Sequence, residues 1–216
     1  MKPYYDHGGI TIYHGDCRAL LADLRADLLL TDPPYGIGAD EAAAKNHRRL
    51  RSGWKDYGAS AWDRATPAME TFVAMLAACR DAVIWGGNYF TDKLRPTQCW
   101  LAWDKGQRDF SLADFEMAWT SFDNASRMVN VARARALLDG KVHPTQKSTD
   151  VMRWCITAVA DRYGKTPPLT ILDPFAGSGT TLVAAKDLGR RAIGIEIEER
   201  YCEIAVNRLS QEVLGL

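Results

Sequence analysis

What this chain of 216 residues lacks narrows its function first. Its five cysteines, Cys17, Cys79, Cys99, Cys155 and Cys202, stand far apart with no CxxC pair. A metal knot or disulfide frame is therefore not expected, and a reducing cytoplasmic setting fits. Excess charge is missing too, since 27 basic side chains balance 27 acidic ones. That balance leaves nucleic-acid binding open, because a local basic patch is enough. No apolar run approaches the roughly 18 residues of a membrane span. The start, Met1-Lys2-Pro3-Tyr4-Tyr5-Asp6, has no apolar stretch of a secretory signal. Repeats and low-complexity tracts are absent. With 47 % hydrophobic and 25 % charged residues, disorder, collagen and coiled coil are excluded, and one soluble domain over 1–216 is expected.

Short apolar segments alternate with helical patterns, which predicts an α/β domain with a largely parallel sheet. The expected strands are Ile10 to Tyr13, Asp27 to Thr31, Ala82 to Trp85, Cys99 to Trp103, Phe115 to Phe122, Thr170 to Leu172 and Ala192 to Ile195. Phe115 to Trp119 alternates in polarity, which marks it as the antiparallel or edge member. Met69, Phe72, Val73 and Leu76 outline one face of a helix from about Pro67 to Cys79. Val151, Trp154, Cys155, Ala158 and Val159 outline another, and Tyr201, Ile204, Ala205 and Leu209 a closing helix. Two stretches fit no element: an insertion over about 36–64, with Trp54, Tyr57 and Trp62, and the segment 123–142. Loops of such length inside a compact domain are usually functional.

Four acids end predicted strands. Asp173 opens Asp173-Pro174-Phe175-Ala176-Gly177-Ser178-Gly179-Thr180, a strand end, glycine turn and helix start. Gly177 and Gly179 allow tight backbone angles and close ligand approach. The Gly-Lys-Ser/Thr ending of a phosphate loop is missing, so Asp173 points instead to a cationic ligand group such as an ammonium. Glu196 ends the next strand and suits ribose hydroxyls, with Ile197 beside it for an adenine face. Asp32 begins Asp32-Pro33-Pro34-Tyr35. Its carboxylate and the Pro33 carbonyl form adjacent acceptors for an exocyclic amino group, and Tyr35 offers a stacking face. Asp16, before Cys17, either accepts from an adenine amino group or caps the following helix. In a doubly wound sheet one crevice at the strand ends would use all four. His143-Pro144-Thr145-Gln146-Lys147 forms a polar loop before a helix. Lys45, Arg48, Arg49, Arg51 and Lys55 occupy eleven residues without an acid; they fit either a solvated surface loop or one closing on phosphates of a nucleic acid.

Together these motifs resemble the amino-group DNA methyltransferases that use S-adenosylmethionine, in the permuted order where the catalytic tetrapeptide precedes the glycine loop. The resemblance runs from residue 10 to about 210. It implies a doubly wound, Rossmann-like α/β sheet of seven strands, mostly parallel with one antiparallel, and a closing helix packed beside Ile10 to Tyr13. It implies catalysis by Asp32, Pro33, Pro34 and Tyr35. S-adenosylmethionine, leaving as S-adenosylhomocysteine, would be held by Asp16, Cys17, Asp32, Thr145, Lys147, Asp173, Phe175, Ala176, Gly177, Ser178, Gly179, Thr180, Glu196 and Ile197. Ser148 stands where the family often has proline. The target-recognition segment, about 122–142, is short, so the insertion or a partner subunit is expected to help read DNA. No nuclease segment is present, so restriction would need a separate protein.

The implied reaction methylates adenine N6 in a base flipped from double-stranded DNA, with no metal and no membrane, by a chain that forms a homodimer. Cytosine N4 methylation uses the same pocket chemistry; aspartate at the first motif position leans towards adenine. RNA or protein amide methylation and a non-catalytic DNA-binding subunit are the remaining alternatives, the last opposed by the intact Asp32 and glycine loop.

Overall fold

A computed structural model describes residues 1–38, 63–108, 113–132, 146–162 and 169–211. Among them nine strands form one sheet in the order β1-β2-β9-β8-β3-β4-β6-β5-β7. The strands are β1 (Tyr5–His7), β2 (Ile10–His14), β3 (Ala26–Thr31), β4 (Cys79–Trp85), β5 (Trp100–Asp104), β6 (Phe115–Thr120), β7 (Arg127–Asn130), β8 (Thr170–Asp173) and β9 (Arg191–Glu196). All seven predicted strands are present. The sheet extends further than the seven expected, because β1 and β7 flank it at its two edges.

Direction follows from the register. β2, β9, β8, β3 and β4 run parallel. β6 is antiparallel to both β4 and β5, so β5 and β7 resume the common direction. β1 is a second antiparallel strand, paired with β2. β6 is thus antiparallel as its alternation predicts, but it lies inside the sheet rather than at its edge.

Among the described residues four α-helices cover the faces: α1 (Met69–Ala77), α2 (Thr149–Arg162), α3 (Thr180–Asp187) and α4 (Glu199–Ser210). Alternate side chains of the central strands feed two cores. Leu28 and Leu30 join Val151, Cys155, Leu182, Cys202 and Ala205 on the face of α2, α3 and α4. Leu29 joins Phe72, Met75, Phe90 and Leu172 on the face of α1. Each fully buried Leu, Ile or Phe contributes about 1.5–3 kcal/mol, and Leu28, Leu29 and Leu30 at the centre of β3 are buried on both faces rather than alternating.

α1 begins two residues after Pro67 and rotates differently from the expectation. Its buried side chains are Thr71, Phe72 and Met75, while Met69 and Val73 are exposed. The segment Met69 to Ala77 is apolar almost all round, so its pattern alone does not single out a face. α4 packs on β2 and β9, as the closing helix of a permuted sheet must. The expectation that 123–142 holds no element is corrected at Arg127–Asn130, which forms β7 beside β5.

The chain leaves β8 towards β9 and leaves β3 towards β4, and β8 and β3 are neighbours. The strand order reverses between them. Crevices for ligands open at the carboxyl ends of strands at such a point.

Candidate active site

β8 and β3 deliver Asp173 and Asp32 to that point. Thr31, the last residue of β3, donates its hydroxyl to Asp173 Oδ1 at 2.7 Å. The Phe175 N–H reaches the same oxygen at 3.2 Å, and the Thr181 hydroxyl also bonds the carboxylate. All these donors are neutral. Burial pushes the Asp173 carboxyl up to about 6, and the hydroxyl and N–H donors only partly offset it. A buried carboxylate answered by neutral donors can accept a cationic group.

Beside it lies a cavity of about 380 Å³. Asp16, Cys17, Asp32, Pro34 and Lys147 border it, together with residues 173–178, Thr180, Glu196 and Ile197. The sequence-assigned cofactor residues within the described chain therefore converge, Gly179 excepted. Gly179 instead caps α3 in the left-handed region, with φ 77°. A Cβ there would lie 2.7 Å from the Ala205 Cβ, so glycine lets the turn press against α4. Thr145 lies outside the described residues, as do Lys45, Arg48, Arg49, Arg51 and Lys55.

Glu196, at the end of β9, folds its carboxylate back onto the glycine turn. Oε2 accepts from the Gly177 N–H and Oε1 from the Glu198 N–H, both at 2.8 Å. Burial raises this carboxyl while those backbone donors pull it down. Asp16 caps the short helical turn Cys17–Ala19 and pairs with the Arg18 guanidinium, so its capping role is realised. Arg18, through side-chain hydrogen bonds above all, keeps this carboxyl low. Ile197 stands 61 % exposed at the cavity rim, which leaves its side chain open to an incoming ring.

Asp32 sits in a group that sequence motifs alone do not assemble. The Tyr35 hydroxyl donates to Asp32 Oδ1. The Lys147 ammonium donates to Asp32 Oδ2 at 2.7 Å and to the Tyr35 oxygen at 3.0 Å. Its third partner is Glu116 Oε2 at 2.9 Å, and Lys105 pairs with the other oxygen of Glu116. Lys147 borders the cavity, yet the three hydrogens of its ammonium serve Asp32, Tyr35 and Glu116. Burial works against its charge, but Asp32 and Glu116 outweigh that and raise it well above an ordinary lysine. Burial likewise opposes the charge of Glu116, and the two lysines bring it down to about 2. The Asp32 carboxyl is raised by burial and pulled back by Lys147 and Tyr35.

The Tyr35 ring stacks on Tyr89 with centroids 4.8 Å apart and meets Phe90 edge-on at 6.0 Å. Gly86, which follows β4 with φ 70°, makes room for it: a Cβ there would lie 2.0 Å from Tyr35 Cε1. Glu116 and Lys105 belong to no motif in the sequence. The one signal there is a carboxylate within the apolar alternation Phe115-Glu116-Met117-Ala118-Trp119.

Around this site the ends of the cationic insertion meet. The Gly36 N–H donates to Asp63 Oδ1 at 2.8 Å and the Gly38 N–H to the Asp63 carbonyl at 3.0 Å. Ala65, Pro67 and Ala68, just beyond, border the cavity. Gln146 accepts from the Ser178 hydroxyl at 3.3 Å, tying the polar loop to the glycine turn. Among the described residues no three His, Cys, Asp or Glu side chains are grouped to hold a metal ion, and no helix is long and apolar enough to cross a membrane.

Comparison with known proteins gives the family of the chain and relatives of its fold. Type II methyltransferase M.ScaI of Streptomyces caespitosus is 27 % identical over 267 residues, spanning 100 % of this chain and 86 % of that one. Type II methyltransferase M.HindIII of Haemophilus influenzae is 39 % identical over 95 residues, 44 % of this chain and 29 % of that one. Among solved structures, the M1.HpyAVI–SAM complex superposes with a TM-score of 0.59 at 23 % identity over 93 % of this chain and 100 % of that one. The cytosine-N4-specific PvuII DNA methyltransferase superposes at 0.63 and 16 % identity over 99 % of this chain and 91 % of that one. The family profile N6_N4_Mtase, described as DNA methylase, matches residues 88–207, more than half of the sequence. The chain therefore belongs to the N6/N4 family of DNA methylases.

Proposed function

We propose that this protein transfers a methyl group from S-adenosylmethionine to N6 of an adenine flipped out of double-stranded DNA. One juxtaposition carries the reading. Asp173, a buried carboxylate whose described donors are all neutral, is bonded to Thr31, and Thr31 precedes Asp32 in the chain. A carboxylate suited to an ammonium thus adjoins one suited to an amino group.

The donor set fits the cofactor. Asp173 would take its ammonium and Glu196 its ribose hydroxyls. Ile197, Cys17 and Asp16 would border the adenine, and the turn from Phe175 to Thr180 the methionine portion. When bound, S-adenosylmethionine supplies an electrophilic methyl group on a sulfonium that leaves readily. Alignment and electrostatics are then what the protein must provide.

Asp32 and the Pro33 carbonyl would hold the two amino hydrogens of the target. The lone pair of that nitrogen is delocalised into the ring, and holding both hydrogens favours a pyramidal nitrogen with the lone pair free. Pro33 and Pro34 fix the backbone that aims these acceptors. Tyr35 would stack on the extruded base, with Tyr89 behind its other face. The base must leave the duplex to reach a crevice at strand ends.

Aspartate at the first motif position supports adenine. Cytosine N4 is the second reading, because the same acceptor pair would hold its amino group. The cationic segment from Lys45 to Lys55 would contact phosphates near the pocket mouth, and a homodimer would enlarge a short recognition surface. DNA as substrate fits the reducing cytoplasm expected from unpaired cysteines. Tritiated-methyl transfer from S-adenosylmethionine to DNA, followed by nucleoside chromatography, tests the reading. Label in N6-methyladenine is expected; label only in N4-methylcytosine selects the second reading, and no label rejects both.

A further inference from the structure

We propose that Glu116 and Lys105 are positioning residues for catalysis: Glu116, braced by Lys105, holds the Lys147 ammonium against Asp32 so that the carboxylate faces the target amino group in one orientation. This inference rests on the assignment of Asp32 to the transferring pocket.

The topology brings them there. In a mostly parallel sheet, ligand sites gather at the carboxyl ends of strands. β6 runs the other way, so its first residues, Phe115 and Glu116, lie at that same end. Glu116 pairs in register with Trp103, and Phe115 with Asp104. Lys105 is the next residue after Asp104, so β5 delivers it from the parallel direction. Neither residue belongs to a motif. The antiparallel turn of one strand places them at the site.

The geometry then specifies a role. A lysine ammonium has three hydrogens. Lys147 directs them to Asp32 Oδ2 at 2.7 Å, Glu116 Oε2 at 2.9 Å and the Tyr35 oxygen at 3.0 Å. Tyr35 in turn donates to the other Asp32 oxygen. Each Asp32 oxygen is thus oriented by one donor and keeps lone-pair capacity for a substrate hydrogen. The side chain of Lys147 is only 4 % exposed, so water cannot readily replace a missing partner. Two lysines face two carboxylates, and the group is neutral. Without the Glu116 charge, Lys147 would keep Asp32 and Tyr35 but trade its anionic partner for at most a neutral oxygen, which weakens the tether that sets its angle. Asp32 could then swing with it. Displacement of about 1 Å at a reacting group costs on the order of 100-fold in rate.

The experiment compares wild type, Glu116→Gln, Lys105→Gln and the double variant in single-turnover methylation of duplex DNA. S-adenosylmethionine affinity is measured by calorimetry and fold by circular dichroism. Glu116→Gln is expected to lower the turnover rate on the order of 100-fold, with cofactor affinity and KM for DNA within about threefold. Lys105→Gln should lower the rate less, and adding it to Glu116→Gln should have no further effect, because Lys105 acts through Glu116. Glu116→Asp, which keeps the charge, should retain more activity than the glutamine variant. Nitrogen-15 NMR gives a readout apart from activity: the Lys147 ammonium protons should be slow to exchange in wild type and fast in Glu116→Gln. Wild-type turnover in Glu116→Gln, or rate losses that multiply in the double variant, would overturn the positioning role while leaving Asp32 in place. An inactive wild type would overturn the methyltransferase reading and this inference with it.

Discussion

Thr31 and Asp173 stand 142 residues apart in the chain and share a buried hydrogen bond of 2.7 Å. The bond crosses the point where the strand order reverses, so it joins the strand leading to Asp32-Pro33-Pro34-Tyr35 to the strand leading to the glycine turn. A carboxylate with these neighbours should report on cofactor binding through pH.

Burial lifts Asp173 to about 6 from an ordinary 3.8. A bound ammonium requires the ionised form, so below about pH 6 binding must displace a proton. Affinity for S-adenosylmethionine is expected to be level above that pH and to fall up to tenfold per unit below it. Asp173→Asn should bind weakly with a flat profile, and Thr31→Val should move the midpoint upward by removing a donor to the carboxylate. Calorimetry between pH 5 and 8 checks all three. For stability of the ligand-free protein, the folded state holds this proton more tightly than the unfolded chain. The contribution of Asp173 is therefore fully present below about pH 4 and is lost as pH rises through about 6.

Asp32→Ala should abolish methyl transfer while leaving cofactor affinity within several-fold, since Asp173 and Glu196 remain. Tyr35→Ala should weaken binding of DNA with an extruded base by about 1–3 kcal/mol, the usual worth of stacking one base on an aromatic ring. Fluorescence of 2-aminopurine at the target position and the transfer assay measure the two effects. Substantial transfer by Asp32→Ala would remove it from the catalytic role.

Gly86 yields a prediction from sterics alone. Its φ of 70° costs a residue with a Cβ about 1–2 kcal/mol, and that Cβ would lie 2.0 Å from the Tyr35 ring. Gly86→Ala should lower the melting temperature and displace Tyr35. Turnover should fall more than cofactor affinity, as measured by thermal denaturation and steady-state kinetics.

The cationic segment is tested by salt. Replacing Arg48, Arg49 and Arg51 with Gln should weaken DNA binding and reduce the slope of log affinity against log salt by about one unit for each phosphate no longer neutralised. Cofactor binding should be unaffected. An unchanged slope would direct the search for the DNA-binding face to Arg127 and the region up to Lys141.

Sedimentation at micromolar concentration tests self-association. A homodimer is expected, because one short recognition segment offers little surface for reading several base pairs. A fully active species of 24.0 kDa alone would count against it.

The central strands were legible because both their faces are buried. Leu28 to Leu30 and Ala82 to Trp85 are apolar without interruption, and in a doubly wound sheet that pattern has one reading. Tyr5–His7 and Arg127–Asn130 carried no such signal. They are short, lie at the edges and expose most of their side chains, so no core imposes a period on them. At the site, Asp32, Asp173 and Glu196 could be read because each follows a recognisable strand. Glu116 and Lys105 could not, since their nearness to Asp32 arises from strand order and direction. Asp16 was legible as two alternatives; it caps Cys17–Ala19 and also borders the cavity.

The bonds from Gly36 and Gly38 to Asp63 hold the two ends of the insertion together independently of what lies between them. Closing a loop costs only about 0.6 kcal/mol more for each doubling of its length. Length and sequence between Gly38 and Asp63 are therefore free to diverge with little penalty to the sheet or to the cavity behind it. If that stretch contacts DNA as proposed, its exchange should alter DNA affinity while Asp32 and Asp173 keep their setting.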